Sequence, residues 1–275
     1  QFFFKRPTIE ARWSNVRRDD RSNFYFSSSR APAVDNLNTL YFYNIVRGKL
    51  VNIPTIGTGK LLVSLYSGSG PYNTGPSGSA LTLYDGKTAM TGGHVSTGIY
   101  TCSVAIVSSN VSPLYDVWHT GAGGPHTDQY FTGSVLPKLI STGMTLEPET
   151  YFINITNLKE SYYPRENARF NLFVRKKNWE PNIYTVAKVS PPVVPIKSAS
   201  YRVYRVLDGY NAIPYGTGSD FHTGLSYDVS GNYFELDMRL LEPGYGYAFK
   251  FAFYDEYAGS WEEQDETFRF KVEEY

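Results

Sequence analysis

Hydrophobic and polar residues alternate in short runs along most of the chain after about residue 40. The runs that predict strands in the first half are residues 40–47, 49–53, 60–66, 80–84, 99–107 and 129–136. Neighbouring side chains of a strand point to opposite faces, so a period of two indicates a strand with one buried face. Glycine-containing turns separate these runs, for example at residues 67–71, 84–87 and 91–93. The pattern therefore predicts an all-β protein.

The tripeptide Leu-Glu-Pro occurs twice, at residues 146–148 and 241–243, and each copy leads into an alternating run. After a polar loop, each copy continues into a last alternating strand. The apolar positions of these two strands are Phe170, Leu172 and Val174 in the first copy and Phe268, Phe270 and Val272 in the second. A proline ahead of a strand and a final strand after a loop are typical of the last hairpin of a Greek-key sandwich. The repetition predicts two sandwich domains.

The segment at residues 190–195, Ser-Pro-Pro-Val-Val-Pro, favours a stiff extended backbone and cannot lie inside a sheet. We predict that it is a proline-rich linker. Residues 36–189 would form a first β-sandwich domain with long loops, and residues 196–275 a second, immunoglobulin-like β-sandwich domain. With 275 residues the chain is long enough for two such cores. The predicted fold class is all-β, with two tandem immunoglobulin-like β-sandwich domains and an extended N-terminal arm.

The predicted arm comprises residues 1–35, which follow neither the helical nor the strand period and carry isolated aromatic residues among arginines. Such a segment cannot make a core of its own. Aromatic anchors between polar spacers suit a segment that packs on a neighbouring subunit, because interfaces are enriched in aromatic residues and arginine. The candidate interface residues are Phe2, Phe3, Phe4, Trp13, Arg17, Arg18, Phe24 and Phe26 in the arm, with Trp118 and Trp261 from predicted loops.

The charge and the cysteine content of the chain limit the kinds of partner and of covalent stabilisation to be expected. Lysine and arginine number 26, as do aspartate and glutamate, so the net charge gives no reason to expect binding to nucleic acid or to an anionic membrane. The first 30 residues are nevertheless basic and the C-terminal residues acidic, which would suit either a polar assembly of identical subunits or two solvated surfaces. The single cysteine, Cys102, excludes an intrachain disulfide and is predicted to be a small core residue.

Potential metal ligands are densest around a glycine-rich loop, at Asp116, His119, His126 and Asp128. Their spacing fits neither one face of a helix nor a zinc knuckle, so chance placement is the expected explanation. Residues 57–60, Gly-Thr-Gly-Lys, lack the remaining glycine and the serine or threonine of a phosphate-binding loop. We therefore predict no catalytic residue, no metal site and no cofactor.

The second Leu-Glu-Pro corner resembles the corner of the fibronectin type III and immunoglobulin-like superfamily. In that superfamily a tyrosine hydroxyl ties a Leu-x-Pro corner to nearby backbone, and Tyr247 is the matching position here. In the first copy Tyr151 falls one residue earlier relative to Leu146, which departs from the pattern. The resemblance implies the fold of the last third of the chain and is silent about its function.

Residues 196–275 are also similar to repeat domains of virion structural proteins of tailed bacteriophages. The likeness is carried by residues 224–238, residues 240–247 and the ending at residues 268–272. It implies a non-enzymatic protein of the phage particle, associated with the capsid, neck or tail. The partners it implies are other virion proteins and copies of the same chain in a homo-oligomer, with no membrane and no direct nucleic acid contact. The alternative is a carbohydrate-binding or adhesive surface module, in which Trp118 or Trp261 forms a platform for a glycan.

Overall fold

The computed structural model describes residues 11–27, 32–68, 75–107, 113–121, 128–138, 150–177, 179, 193–216, 221–256 and 258–274. Strands make up 50% of the structure, and the described part contains no helix of seven or more residues. The prediction of an all-β protein is therefore confirmed. The chain divides into two compact units. One is Arg18–Leu146, here the middle unit, and the other combines Gln1–Arg17 with Glu147–Tyr275, here the terminal unit.

The middle unit is built on one curled, antiparallel sheet. Its strands are β1 (Asn38–Tyr43), β2 (Ile45–Val46), β3 (Lys49–Leu50), β4 (Leu61–Gly68), β5 (Pro76–Ser77), β6 (Met90–Ser96), β7 (Ile99–Val104), β8 (Leu114–His119) and β9 (Gln129–Val135). The main sheet has the order β1-β7-β6-β4-β8-β9, with β5 beside β4, and β2 pairs with β3 in a separate hairpin. Short 3-10 helices occupy Asp20–Ser22 and Ala33–Asn36. Apolar residues from one face of the sheet form the core, in which the Phe42 ring lies 5.7 Å from that of Trp118.

Residues 19–27, which were predicted to extend toward a neighbour, pack against the middle unit instead. Phe24 and Phe26 are both buried there. Lys138 N donates to Phe24 O at 2.8 Å, and the Asn38 amide side chain bonds both Tyr25 N and Tyr25 O at 2.9 Å. The prediction was wrong for these residues because the partners of this strand-like segment lie far away in sequence. Residues 1–10 and 28–31 of the predicted arm lie outside the described residues.

Several strand assignments in the middle unit also differ from those predicted. The predicted turn at residues 91–93 lies within β6, where a side chain at Gly92 would come within 2.8 Å of Thr101 O. Gly92 therefore allows neighbouring strands to approach closely and does not form a turn. The strand β8 was missed, so Trp118, predicted in an exposed loop, is fully buried on that strand. Residues 80–84, predicted as a strand, form none.

The terminal unit contains two sheets. Its strands are β10 (Tyr151–Ile155), β11 (Ser161–Tyr162), β12 (Asn167–Lys176), β13 (Ala199–Arg205), β14 (Asn211–Ile213), β15 (Ser226–Asp228), β16 (Gly231–Asp237), β17 (Gly246–Asp255), β18 (Ser260–Glu263) and β19 (Phe268–Val272), with a 3-10 helix at Met238–Leu240. One sheet has the order β10-β12-β16-β15, and the other has the order β11-β19-β17-β13-β14 with β18 beside β17. The two sheets share a core of aromatic side chains. In it the Phe249 ring of the second sheet lies 4.9 Å from Phe170 and 5.3 Å from Phe234 of the first.

The observed division of the chain differs from the predicted domain boundary at residues 190–195. Strands β12 and β16 pair from Asn167↔Asp237 to Leu172↔Asn232, so residues assigned to the two predicted domains lie side by side in one sheet. The pairing of strands on either side of these prolines has no signature in local sequence. Residues 190–192 lie outside the described residues, and Val194 N donates to Val174 O at 2.9 Å.

Candidate interaction surfaces

The most strongly polar cluster in the core of the middle unit surrounds the buried carboxylate of Asp116. Arg21 Nη1 donates to Asp116 Oδ1 at 2.5 Å, and Trp118 Nε1 donates to the other carboxylate oxygen at 2.7 Å. Arg21 Nη2 donates to Tyr41 O at 3.0 Å. Burial opposes the charge of Arg21, but attraction and hydrogen bonding to Asp116, and then to Asp19, outweigh burial and raise the pKa of the guanidinium.

This cluster is a structural anchor for the segment that carries Arg21. The Arg21 and Asp116 side chains are only 9% and 0% exposed, so no substrate reaches the charged atoms. Gly133 leaves the room that the pair occupies, because a Cβ there would overlap Arg21 Nη1 and lie 2.6 Å from Asp116 Oδ1. The ion pair thus depends on a glycine in the neighbouring strand β9. Both carboxylate oxygens of Asp116 accept hydrogen bonds from protein donors.

The other chemically reactive side chains of the middle unit are also enclosed. His119 Nε2 lies 3.0 Å from Ser64 Oγ, the pairing of a base with a hydroxyl nucleophile, but both residues are buried. Burial lowers the pKa of His119, so its ring is neutral near pH 7. Burial, reinforced by the charge of Asp116, raises the pKa of Cys102 to about 12. The thiol is therefore protonated and shielded, and the prediction of a core cysteine is confirmed.

The potential metal ligands Asp116 and His119 are each engaged by other side chains in the described part of the chain. Asp116 bonds Arg21 and Trp118, whereas His119 bonds Ser64, and His126 lies outside the described residues. Within the described ranges, no group of three or more histidine, cysteine, aspartate or glutamate side chains is arranged to hold a metal ion.

A small polar recess in the terminal unit is lined by Arg17, His222 and Glu235 among other residues. Its volume of about 30 Å³ is close to the space that one water molecule occupies in the liquid. Pockets that enclose small organic ligands are roughly ten times larger. The recess is therefore too small to be a small-molecule site of the usual kind.

An aromatic cluster in the terminal unit combines Tyr254 and Trp261, on the hairpin formed by β17 and β18, with Phe221 outside that hairpin. Trp261, which is 43% exposed, has its ring 5.6 Å from that of Tyr254 and 5.7 Å from that of Phe221. We call these three residues the aromatic patch. All four residues of β18 are exposed, and among the described strands β18 pairs only with β17. Exposed carboxylates on the same hairpin belong to Glu256, Glu262 and Glu263, of which Glu262 lies on the opposite face of β18 from Trp261.

A second exposed apolar surface lies on the hairpin of β2 and β3 in the middle unit. Its exposed aliphatic residues are Ile45, Val46, Leu50 and Val51, and we call this element, residues 45–51, the apolar hairpin. Arg47 and Gly48 form its turn with φ values of 50° and 79°, as a two-residue type I′ turn requires. Four aliphatic side chains are therefore displayed to solvent on a short, defined element.

The base of the apolar hairpin is fixed to the turn between β6 and β7. Asn44 N donates to Gly98 O at 2.7 Å, and Gly98 N donates to Asn52 Oδ1 at 2.6 Å. A side chain at Gly98 would come within 2.7 Å of Val51 N, so only glycine allows this approach. The sequence indicated the strands but not their exposure. The exposure could have been predicted from the two adjacent apolar residues on each side of the turn. Neighbouring residues of a strand point to opposite faces, so two adjacent apolar residues cannot both face one core.

The predicted interface residues are therefore divided among several environments. Trp13 and Trp261 are exposed, as is Arg18, whereas Phe24, Phe26 and Trp118 are buried in the middle unit. Arg17 lies at the edge of the first sheet of the terminal unit, where Tyr227 N donates to Arg17 O at 3.0 Å. Phe2, Phe3 and Phe4 lie outside the described residues.

No protein-family model matches the chain, and no curated protein is significantly similar to it in sequence. Among the residues that the structure describes, no helix combines the length and apolar character needed to cross a membrane.

Proposed function

We propose that this chain is a non-enzymatic structural protein of a phage particle, associated with the capsid, neck or tail, that binds neighbouring subunits through exposed apolar surfaces. The phage assignment rests on the resemblance of residues 196–275 to virion repeat domains. We also propose that the terminal unit is an immunoglobulin-like sandwich. In its support, Tyr247 Oη donates to Glu242 O at 3.0 Å, the corner bond that the superfamily resemblance implies.

The exposure of Trp261 is the observation on which the binding proposal rests. Its ring is held by contacts with Phe221 and Tyr254, yet almost half of the residue faces solvent. An aromatic side chain that is ordered before binding loses little conformational entropy when a partner covers it. Tryptophan and tyrosine are also the residues that most often dominate the energy of protein interfaces.

The burial of the reactive side chains of the middle unit supports the proposal that the protein is not an enzyme. The Asp116 carboxylate, the Cys102 thiol and the His119 imidazole are each buried, so none offers an accessible acid, base or nucleophile. Catalysis needs a reactive group within hydrogen-bond reach of a substrate. These groups instead contribute to the packing of the sheet.

Light scattering coupled to size-exclusion chromatography tests the proposed binding. The wild-type chain is expected to form oligomers or to bind a larger particle, and Trp261→Ala is expected to weaken association at least about tenfold. The matched control is Tyr210→Ala, since Tyr210 is an exposed aromatic residue of the same unit. A wild-type chain that stays monomeric and binds no particle would contradict the proposal.

The aromatic patch also supports the carbohydrate-binding alternative, because the exposed ring of Trp261 offers a face on which a sugar ring can stack. A glycan array discriminates the two functions. A purely structural subunit gives no signal, whereas a glycan-binding module gives signals that disappear in Trp261→Ala.

A further inference from the structure

The first sheet of the terminal unit carries aromatic, amide and arginine side chains together on the face that points away from the core. Strand pairing sets Phe152 of β10 opposite Arg175 of β12, and Asn154 opposite Phe173. Asn171 lies two residues from Phe173 on the same strand and therefore on the same face. The residues that alternate with them point into the core. We call these five residues the outer patch.

The polar side chains of the outer patch are available to a ligand. Asn154 and Asn171 are exposed, and Arg175 is half-buried. Within the described ranges, the Asn154 and Asn171 side-chain amides and the Arg175 guanidinium make no hydrogen bond or ion pair, and Asn171 is bonded only through its backbone. Each amide can donate and accept at once, whereas the guanidinium only donates.

The aromatic part of the outer patch is ordered before any ligand binds. The Arg175 guanidinium lies 5.0 Å from the centre of the Phe152 ring and 6.0 Å from that of Trp179. Such contacts between a cation and an aromatic face hold both side chains, so their ordering costs little when a ligand arrives. Phe152 remains 42% exposed. An accessible ring therefore lies directly beside a cation that has no carboxylate partner.

This combination fits an acidic sugar. The C–H groups on one face of a sugar ring pack on an aromatic ring, and its hydroxyl groups both donate to and accept from amides. A guanidinium matches a carboxylate with two parallel hydrogen bonds. A protein partner would need a contiguous apolar area, whereas here three polar side chains surround a single well-exposed ring.

The rest of the same face argues against a nucleic acid and gives the ligand a direction. A phosphate backbone needs a series of cations. The next arginine of the face, Arg169, instead lies opposite Glu235 and stacks on Tyr233 at 3.8 Å. Because Glu235 repels anions, the carboxylate of the ligand belongs at Arg175 and its neutral part lies toward Glu235.

The breadth of the face indicates an oligosaccharide. The distance across the sheet from β10 to β15 is three strand spacings, or about 14 Å. At the β15 side the face ends in the polar recess, which is lined by Ser226 and Glu235 among other residues and has room for one small polar group. A single sugar on Phe152 does not reach this recess, whereas a short chain of sugars does.

We propose that the outer patch is a binding site for an acidic oligosaccharide. One sugar ring stacks on Phe152, and its carboxylate accepts hydrogen bonds from Arg175. The Asn154 and Asn171 amides bind hydroxyl groups. This inference goes beyond the proposed function and does not depend on it. It also differs from the carbohydrate-binding alternative, which uses Trp261 on the other sheet.

An array of carboxylated and neutral oligosaccharides, probed with the full chain, tests this site. Wild type is expected to bind carboxylated members, and Phe152→Ala is expected to weaken this binding at least about tenfold. Arg175→Met keeps an unbranched side chain beside Phe152 but removes the charge, so carboxylated and neutral forms of one glycan should then bind equally. The matched controls are Tyr210→Ala and Trp261→Ala, at exposed aromatic residues outside the outer patch, which should bind like wild type.

The site is overturned if wild type binds no carboxylated glycan or if Phe152→Ala binds as well as wild type. Signals that disappear in Trp261→Ala alone would move the site to the aromatic patch. Fluorescence anisotropy with a single-stranded oligothymidylate covers the nucleic acid, and binding that Phe152→Ala abolishes would overturn the sugar ligand. Thermal unfolding monitored by circular dichroism verifies that each variant is folded.

The proposed function is measured separately, by light scattering. Phe152→Ala is expected to associate like wild type, and weakened association would instead make the outer patch a subunit contact and overturn the glycan site. A wild-type chain that binds carboxylated glycans but neither associates nor binds a particle contradicts the proposed function and leaves the glycan site standing.

Discussion

Replacement of Gly133 by alanine tests how far the middle unit depends on its buried ion pair. The added Cβ would overlap Arg21 Nη1 and lie 2.6 Å from Asp116 Oδ1. Because both side chains are enclosed, Arg21 can avoid the overlap only by lengthening or breaking its bond to Asp116. The carboxylate would then keep its bond from Trp118 Nε1 but lose its counter-charge.

Removing one partner of a buried ion pair costs about 3–5 kcal/mol, because the remaining charge stays desolvated. Because Asp116 would keep its bond from Trp118, we expect Gly133→Ala to lower the free energy of unfolding by an amount near the lower end of this range, about 3 kcal/mol. For a unit of this size each kcal/mol lowers the melting temperature by roughly 3–4 °C, so a decrease of about 10 °C is expected.

Urea denaturation and differential scanning calorimetry of the full chain measure this change. The matched control is Gly93→Ala, since Gly93 also lies in a strand of the middle unit and a Cβ there has no neighbour within 4 Å. A free energy of unfolding for Gly133→Ala within about 0.5 kcal/mol of that of Gly93→Ala would refute the reasoning, since changes of that size are typical of neutral surface substitutions.

Three further predictions concern individual hydrogen bonds and one titrating group. Tyr247→Phe removes the 3.0 Å bond to Glu242 O and should lower the free energy of unfolding by about 1 kcal/mol in urea denaturation. Asn38→Ala removes two bonds to the Tyr25 backbone and should lower the free energy of unfolding by about 2–3 kcal/mol in the same assay; an unchanged midpoint would contradict the view that these bonds hold the Tyr25 segment in place. Because burial lowers the pKa of His119, the unfolded chain binds this proton more readily than the folded one. The free energy of unfolding should therefore be unaffected by this group above about pH 6.5 and should decrease as the pH falls from there toward the pKa of His119 in the folded chain. His119→Gln should show a shallower decrease between about pH 7 and 5.

The sequence pattern was sufficient to predict those strands and core residues that depend on neighbours close in sequence. Alternation identified β1, β4, β7 and β9, because side-chain direction in a strand is a short-range property. The corner bond of Tyr247 was implied by the superfamily resemblance of the second Leu-Glu-Pro corner. Cys102 was likewise identified as a core residue from its place in an alternating run.

The errors concern contacts between segments that are distant in sequence. Phe24 and Phe26 were interpreted as anchors for a neighbour because their partners, near Asn38 and Lys138, are not adjacent in sequence. Trp118 was placed in a loop because glycines follow it. Trp261 was predicted in a loop and instead lies exposed on strand β18. Its ring contacts and the apolar hairpin required the pairing of strands to be known.

The bond between Arg17 N and Ser226 Oγ joins residues 209 positions apart and has a consequence for synthesis at the ribosome. The polypeptide of the middle unit, Arg18–Leu146, is complete before most of the terminal unit has been translated. Domains generally fold as units during synthesis, the earlier one first. The stretch just ahead of the middle unit must therefore wait, without its edge-strand partner, until β15 has left the exit tunnel, so Arg17 is translated before the middle unit but reaches its final place after it.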